Sequence, residues 1–443
     1  MGDIIATQQP LFSSLVLCCK TPPPRFGDCQ RPSPAAMVAQ AQRSVHPFPR
    51  LKHGKDRQRR EREQRAQGVR TQDTVKIPYV RYGMNTLKIR HERVRFKRSL
   101  KAIYAADENT VARMLLEDGM LQSKEGGLCP FCGCGSLSAL QEHRRGTLSY
   151  RCKAKKCQRF VLPHAHHQLF WVSQDITLRD QAAVLFNAVL GVSHSVTKKQ
   201  CDVHHDTIKR IYDKLDECRA TVVRRNEKRI RFCNTYHWND VEADECDFHS
   251  GLVADFKHAP DDEKVKWEQW CGVVERGVPA SLVLWRLDPK ETALRSPGPG
   301  AMRTHEWKPW AEKHLQGRKV ILHTDGARAY RLKVDGVMHD HAVHKRKLLV
   351  DNNGKTVKQN GKNVWVRPSY SKPMTHTLPD GQQVRVKTGT QVIDRAWGLF
   401  RRHLGSRAFA VGSKGMARRI RSGQWVYWHR GEDLWLATGR LFQ

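Results

Sequence analysis

Residues 110–121 read TVARMLLEDGML, and their apolar positions recur at helical spacing: Val111, Met114 and Leu115, with Leu121 at the end. Asn109 suits the N-cap and Gly119 the stop. A longer helical stretch fills residues 177–222. Its first piece, TLRDQAAVLFNAVLG, opens on Thr177 as cap and closes on Gly191. Two more pieces follow in SVTKKQCDVHHDTIKRIYDKLDECRATV. The second begins at Asp206 or Thr207 and puts Ile208, Ile211, Tyr212 and Leu215 on one face. A short helix, a turn near DVHH and a longer helix form a helix-turn-helix pattern. The alternative is an ordinary helical linker.

From about residue 236 the texture changes to short strands. VEADECDF (241–248), WCGVVERG (270–277) and ASLVLWRL (280–287) read as three strands, with Gly277 and Pro279 in the turn between the last two. RTHEWKPWAEKHL (303–315) reads as a helix, and KVILHTDG (319–326) as a buried strand carried up to an Asp-Gly turn. QVIDRAWGLFRRHLG (391–405) is an amphipathic helix with Val392, Ala396, Leu399 and Phe400 apolar. LPDGQQV (378–384) is a hairpin turn. Three meandering strands, a helix and a fourth strand are the order of an RNase H-like α/β core, a mixed sheet with helices.

Composition adds a partner. Lys and Arg number 78 against 44 Asp and Glu, a net charge of +34. An excess of that size points to a polyanion, nucleic acid being the usual one, without saying what is done to it. With 39% hydrophobic residues among 443, the chain has material for a core and room for about two to four domains. Residues 1–75 differ: TPPPRFGDCQRPSP is proline-rich and LKHGKDRQRREREQR is a mixed, mainly basic charge run. A disordered tail is expected there, acting as a nuclear import signal, a non-specific DNA arm or simply a solvated segment. No apolar run reaches the roughly 18 residues of a membrane span. LFSSLVLCC (11–19) lacks a basic lead and makes a poor signal peptide.

The 13 cysteines are mostly scattered, as in a reducing compartment. Four form two spaced pairs, Cys129 with Cys132 and Cys152 with Cys157. The 19 residues between Cys132 and Cys152 suit a β-hairpin that brings the pairs together. Four thiolates at tetrahedral corners are what one structural zinc ion takes. Cys134 offers itself in place of Cys132, and His164, His166 and His167 are expected on the polar surface.

Strand side chains alternate, so Glu242 and Asp244 share one face and Glu245 takes the other. Asp244 lies on the first strand and Asp325 at the end of the fourth, its neighbour in a sheet of that order. Asp394, on the helix at 391–405, supplies a third carboxylate, with Arg401 on the same helix face. Three carboxylates at one point repel unless divalent cations neutralise them, and hard oxygen ligands select Mg²⁺ or Mn²⁺. Two such ions about 4 Å apart serve phosphodiester chemistry. Alone, Asp325 before Gly326 is most simply a turn residue. The ordered set of cysteine pairs, helix pair and three carboxylates argues for a site.

Taken in that order, the motifs resemble the ISXO-type and Merlin-type transposases, a DDE group of insertion-element enzymes with an N-terminal zinc ribbon. GGLCPFCG resembles the ribbon's opening, VEADE the first catalytic strand, and LHTDGARAY followed by HDHAVH the second. TGTQVIDRAWGLFRRHLG resembles the family's Asn-x-x-Glu-x-x-Trp-x-x-x-Lys helix, and WVYWHRGEDLW its aromatic and basic tail. The resemblance runs from about residue 110 to about residue 436. It implies that Asp244, Asp325 and Asp394 are catalytic and hold the metal, the last where the family usually has Glu. Trp397 keeps its place, Gln391 and Arg401 stand where Asn and Lys are common, and His344 falls near a family histidine. Residues 350–387 form a longer insertion than usual.

The expected organisation is a tail (1–75), a basic segment with a short helix (76–127), a zinc ribbon (128–172), a helix-turn-helix domain (173–230) and an RNase H-like catalytic domain (231–436). The expected function is a DDE transposase with two catalytic Mg²⁺ or Mn²⁺ ions and one structural Zn²⁺. Glu242, Glu245, His344, Trp397 and Arg401 would support the site, and Lys198, Lys199, Lys209 and Arg210 would contact DNA. One alternative is a transposase-derived, catalytically inactive DNA-binding protein; another is an RNase H-like nuclease. Expected partners are double-stranded DNA, as element ends and target, and further copies of the chain in a dimer or larger oligomer, with no membrane. The location is nuclear in a eukaryote and otherwise cytoplasmic or nucleoid.

Overall fold

Ser99 and Asp107 cap the first two helices, α1 (Leu100–Ala105) and α2 (Glu108–Glu117), each side chain accepting a backbone N–H of the first turn. The cap of α2 is thus Asp107 and not the expected Asn109. The Asn109 amide is engaged elsewhere, donating to the Gly146 carbonyl and accepting from the Leu148 N–H. Gly119 ends this segment as expected, with φ of +75°. The computed structural model describes residues 94–443 except 144–145, 234–235, 254–263, 343–346, 350–353, 360, 367–369 and 406–408. The tail at 1–75, the apolar run at 11–19 and His344 lie outside the described residues, which all belong to the unit Lys76–Gln443.

A small antiparallel sheet follows, made of β1 (Gln141–Glu142), β2 (Leu148–Arg151) and β3 (Phe160–Val161). Then come α3 (Leu178–Leu190), α4 (His194–Cys201) and α5 (His205–Glu227). Thr177 caps α3, and Gly191 closes it in the left-handed conformation, as its sequence predicts. Helix α3 is buried almost all round, and α1, α2, α4 and α5 gather on it as one apolar core.

The second half is a mixed six-stranded sheet sandwiched by helices. Its strands are β4 (Asn239–Leu252), β5 (Lys264–Glu275), β6 (Val283–Arg286), β7 (Glu291–Ala293), β8 (Val320–Thr324) and β9 (Val337–His341). The order is β6-β5-β4-β8-β9, with β7 paired to the start of β5. Strand β4 runs antiparallel to β5 and parallel to β8, and β8 runs parallel to β9. Helix α6 (Thr304–Leu315) covers one face, burying Trp307, Ala311 and Leu315 against Val241, Ala243, Val273 and Leu322. A hairpin of β10 (Pro373–Thr377) and β11 (Gln383–Lys387) precedes α7 (Gln391–Leu404), and α8 (Lys414–Trp428) follows. Helices α7 and α8 cover the other face. Two small two-stranded ladders fill part of residues 347–366.

The last helix, α9 (Leu434–Gly439), returns to the first core. Trp435 donates its indole N–H to Asp118 at 2.8 Å, and Arg219 stacks on Trp425 at 4.5 Å. Trp425 and Trp435, each about 1% exposed, are therefore the buried points at which the C-terminal helices join the first core. Among the described residues no helix is long and apolar enough to cross a membrane.

Gly272 on β5 sits opposite Asp244 in the sheet register. A Cβ there would lie 2.6 Å from the Trp397 ring of α7 and 2.9 Å from Leu284. The missing side chain is what lets the indole approach the sheet so closely. Gly272→Ala is expected to destabilise the protein by about 1–3 kcal/mol through overpacking. A fall in melting temperature with a shifted tryptophan emission would show it; an unchanged melting temperature would mean that the ring moves aside freely.

Candidate metal centres

Along β4, Asp240, Glu242 and Asp244 share the face that packs on α7, as alternation requires. On the neighbouring β8, His323 and then Asp325 follow the same parity. Three layers of buried charge result.

In the innermost layer, the His323 ring lies between Asp240 (Nε2–Oδ1 2.6 Å) and Asp340 of β9 (Nδ1–Oδ1 2.7 Å). The other Asp340 oxygen meets His376 Nε2 of the hairpin at 2.8 Å. Burial opposes a charge on His323, but its two carboxylate partners prevail and raise its pKa. Burial also resists the Asp340 charge, yet the two imidazoles bring its pKa down to about 2. In the middle layer, fully buried Glu242 pairs with Arg276 Nε at 2.7 Å and accepts the Val392 and Ile393 N–H groups at 2.6 and 3.0 Å. Burial raises the Glu242 pKa, against the pull of the guanidinium and the helix N–H groups.

The outermost layer is different. Oxygens of Asp244, Glu245 and Asp325 all lie within 4.8 Å of one another. Asp244 accepts the Trp397 indole N–H at 3.0 Å, Glu245 the Met302 N–H at 2.8 Å, and Asp325 the Ala327 N–H of its own turn at 3.0 Å. Among the described residues no Lys, Arg or His forms an ion pair with any of the three. Burial, then the charges of Glu245, Asp325 and Asp394, pushes the Asp244 pKa well up. Burial raises Glu245 to about 7. Two layers thus have basic partners within the chain, and the third has the oxygen donors that a divalent metal ion would take.

The expected trio was Asp244, Asp325 and Asp394, whereas the tight group takes in Glu245 and leaves Asp394 as a neighbouring charge. The reason is position. Asp325 lies just past the end of β8, where both sheet faces open, so Glu245 reaches it from the α6 face and Asp244 from the α7 face. Asp394, in the first turn of α7, accepts the Thr390 hydroxyl at 3.3 Å.

Raised carboxylate pKa values set a sign. Without a cation, the stability that these carboxyls contribute is lost as pH rises from the ordinary carboxylate range, near 4, through about 7, because they release protons later than in the unfolded chain. Protons and cations compete for the same oxygens. Mn²⁺ affinity is therefore expected to be about tenfold higher at pH 8 than at pH 6, the ratio of ionised Glu245. Electron paramagnetic resonance of free Mn²⁺ would measure it, and a flat profile would remove Glu245 from the site.

The second centre lies at the small sheet. Sγ atoms of Cys129, Cys132, Cys152 and Cys157 come within 4.8 Å of one another, Cys129–Cys157 at 3.9 Å and Cys132–Cys152 at 3.7 Å. A Zn–S bond of about 2.3 Å implies tetrahedral edges of about 3.8 Å, so the four thiols could hold a zinc ion. Gly135 is needed here because a Cβ would lie 2.4 Å from the Cys152 sulfur. The Cys134 and Gly135 N–H groups pull the Cys132 pKa down to about 6. Burial pushes Cys152 up to about 12, a penalty that a bound cation would remove. Exposed Cys134 stands outside the group. His164 and His167 are half-buried instead of lying on the surface as expected, and burial lowers both to about 4.

Lys198 and Lys199 are exposed on α4, and Lys209 and Arg210 near the start of α5. Lys209 faces Asp213 at 3.8 Å, and Arg210 lies over the Trp171 ring at 3.9 Å. Arg401 reaches the Cys246 sulfur at 3.3 Å and so points along α7 toward the sheet. Sequence reasoning missed Asp240, Arg276, His323, Asp340 and His376. The usable signal was the polar parity of β4 and β8, strands otherwise buried. Compared with protein-family models, curated proteins and solved structures, the chain matches none.

Proposed function

We propose that the chain is a DDE-type DNA transposase of the ISXO/Merlin kind, an enzyme that nicks DNA at element ends and joins the freed 3′-hydroxyl to target DNA. The observation that carries this reading is the outermost charge layer: Asp244 and Asp325, from neighbouring parallel strands, converge with Glu245 and, among the described residues, form no ion pair with a Lys, Arg or His. The strand order fits an RNase H-like core, with the four-cysteine sheet as a zinc ribbon and α3–α5 as the helix-turn-helix domain.

Asp244, Glu245 and Asp325 would hold Mg²⁺ or Mn²⁺, with Asp394 contributing from α7. When bound, the cations supply Lewis-acid charge at the scissile phosphate. The chain's own residues do the rest. Trp397 orients Asp244, and the rigid middle of β4 and end of β8 fix the angle at which carboxylates face the DNA. Exposed Lys198, Lys199, Lys209 and Arg210 would take phosphates, with the salt dependence this brings. Water attacks one phosphodiester and releases a 3′-hydroxyl, which attacks a second phosphodiester; no covalent protein–DNA bond is needed.

Asp394 lies outside the tight group and is one methylene shorter than the glutamate usual in the resembling enzymes. That observation favours a second reading, a transposase-derived protein that binds DNA without cutting it. One assay decides between them: DNA carrying the repeats that flank the coding region, incubated with the full chain and Mg²⁺ or Mn²⁺. Nicked and strand-transferred products are expected. Metal-independent binding with no cleavage in either cation would establish the second reading.

A further inference from the structure

Helix α7 begins without a cap of its own. Its N-cap residue, Thr390, makes no side-chain capping bond. The first-turn N–H groups of Val392 and Ile393 are taken instead by Glu242 Oε2, from the middle of β4. The other Glu242 oxygen holds Arg276 Nε, and the two remaining guanidinium arms donate to the Lys387 and Gly389 carbonyls, each at 2.7 Å. One ion pair therefore grips four backbone atoms between residues 387 and 393, stopping one residue short of Asp394. Glu242 is also two residues before Asp244 on the same strand face. Lys387 ends the hairpin whose His376 is hooked to Asp340 at 2.8 Å. The hairpin belongs to the segment that is longer than the resembling enzymes would have.

We propose that Glu242 and Arg276 are positioning residues that set Asp394 against Asp244 and Asp325, with the hairpin Pro373–Lys387 as the mount for α7. Bridging a strand to a helix start with a planar fork fixes both the distance and the rotation of the helix. A glutamine at 242 would present N–H₂ to Arg276 or to the helix N–H groups, and a lysine at 276 would keep the charge but not the fork. The inference rests on reading Asp244, Asp325 and Asp394 as parts of one site.

The test is a mutant cycle read by Mn²⁺ binding to the full chain, followed by electron paramagnetic resonance of free Mn²⁺. Asp394→Asn is expected to weaken Mn²⁺ binding about tenfold in the parent, the scale of lost ligand support. In the Glu242→Gln background it should weaken it less than twofold further, because Asp394 is already displaced. Arg276→Lys should behave like Glu242→Gln, and it replaces that variant should Glu242→Gln fail to keep its zinc and helical circular dichroism. A purely structural role would lower the melting temperature and leave the Asp394→Asn effect intact in every background; that result overturns the proposal. An Asp394→Asn effect absent even in the parent overturns it too, while leaving Asp244 and Asp325 in place. Asp325→Asn without effect on Mn²⁺ would instead bring down the reading of the site beneath it.

Discussion

Asp325→Asn is expected to abolish Mg²⁺-dependent nicking, by at least about a thousandfold, or roughly 4 kcal/mol of barrier. The carboxylate lies beyond the last residue of β8 and belongs to the group converging with Asp244 and Glu245. Asparagine keeps an oxygen for the Ala327 N–H, so the turn survives. It removes one of the negative charges that raise the Asp244 pKa. The metal-free protein should therefore gain stability, on the order of 1 kcal/mol, while activity disappears. Opposite movements of melting temperature and turnover are the mark of a strained functional group. Nicking of end-bearing DNA and thermal unfolding of the same preparation measure both, and activity retained in Mg²⁺ would remove Asp325 from the chemistry.

Cys152→Ser should act at the other centre and through folding. Cys152 is about 1% exposed and faces Cys132 across 3.7 Å. A serine hydroxyl does not replace a soft thiolate on zinc. Zinc content is expected to fall from about one per chain to near zero. With it goes binding free energy on the order of 10 kcal/mol, most of which holds the small sheet together. The local core has six buried residues, Cys129, Leu137, Tyr150, Cys152, Val161 and Ala165, two of them ligand candidates. Too little apolar surface remains to fold that sheet alone. Limited proteolysis should cut near residues 128–167 and spare the large sheet. Unchanged zinc in the variant would refute the four-cysteine site.

Much of this was legible in the chain. Local signals worked: Thr177 and Gly191 bracket their helix as predicted, and the four cysteines assemble at the spacing their pairs suggest. Asp244 and Asp325 come together because strand order and alternation, both readable, put them there. What escaped was set by register between distant strands. His323 sat inside what read as an apolar strand, and its burial was anticipated. Its pairing with carboxylates was not, because Asp240 and Asp340, the latter held by His376, reach it only once β4, β8, β9 and the hairpin are aligned. The same holds for Arg276, whose partners lie 34 to 113 residues away. Glu245 was placed on the opposite face correctly, but alternation says nothing of where a strand's neighbour ends.

The layered face of β4 also bears on what can be exchanged. Its two inner layers are paired within the chain, Asp340 with the His323 and His376 rings and Glu242 with Arg276. Among the described residues of that face, the outermost layer is the one left to borrow charge from solution. Removing a cation bound there should thus empty a single storey and leave the two below standing, so that the apo-protein waits as a preformed receptor and not as a loosened fold.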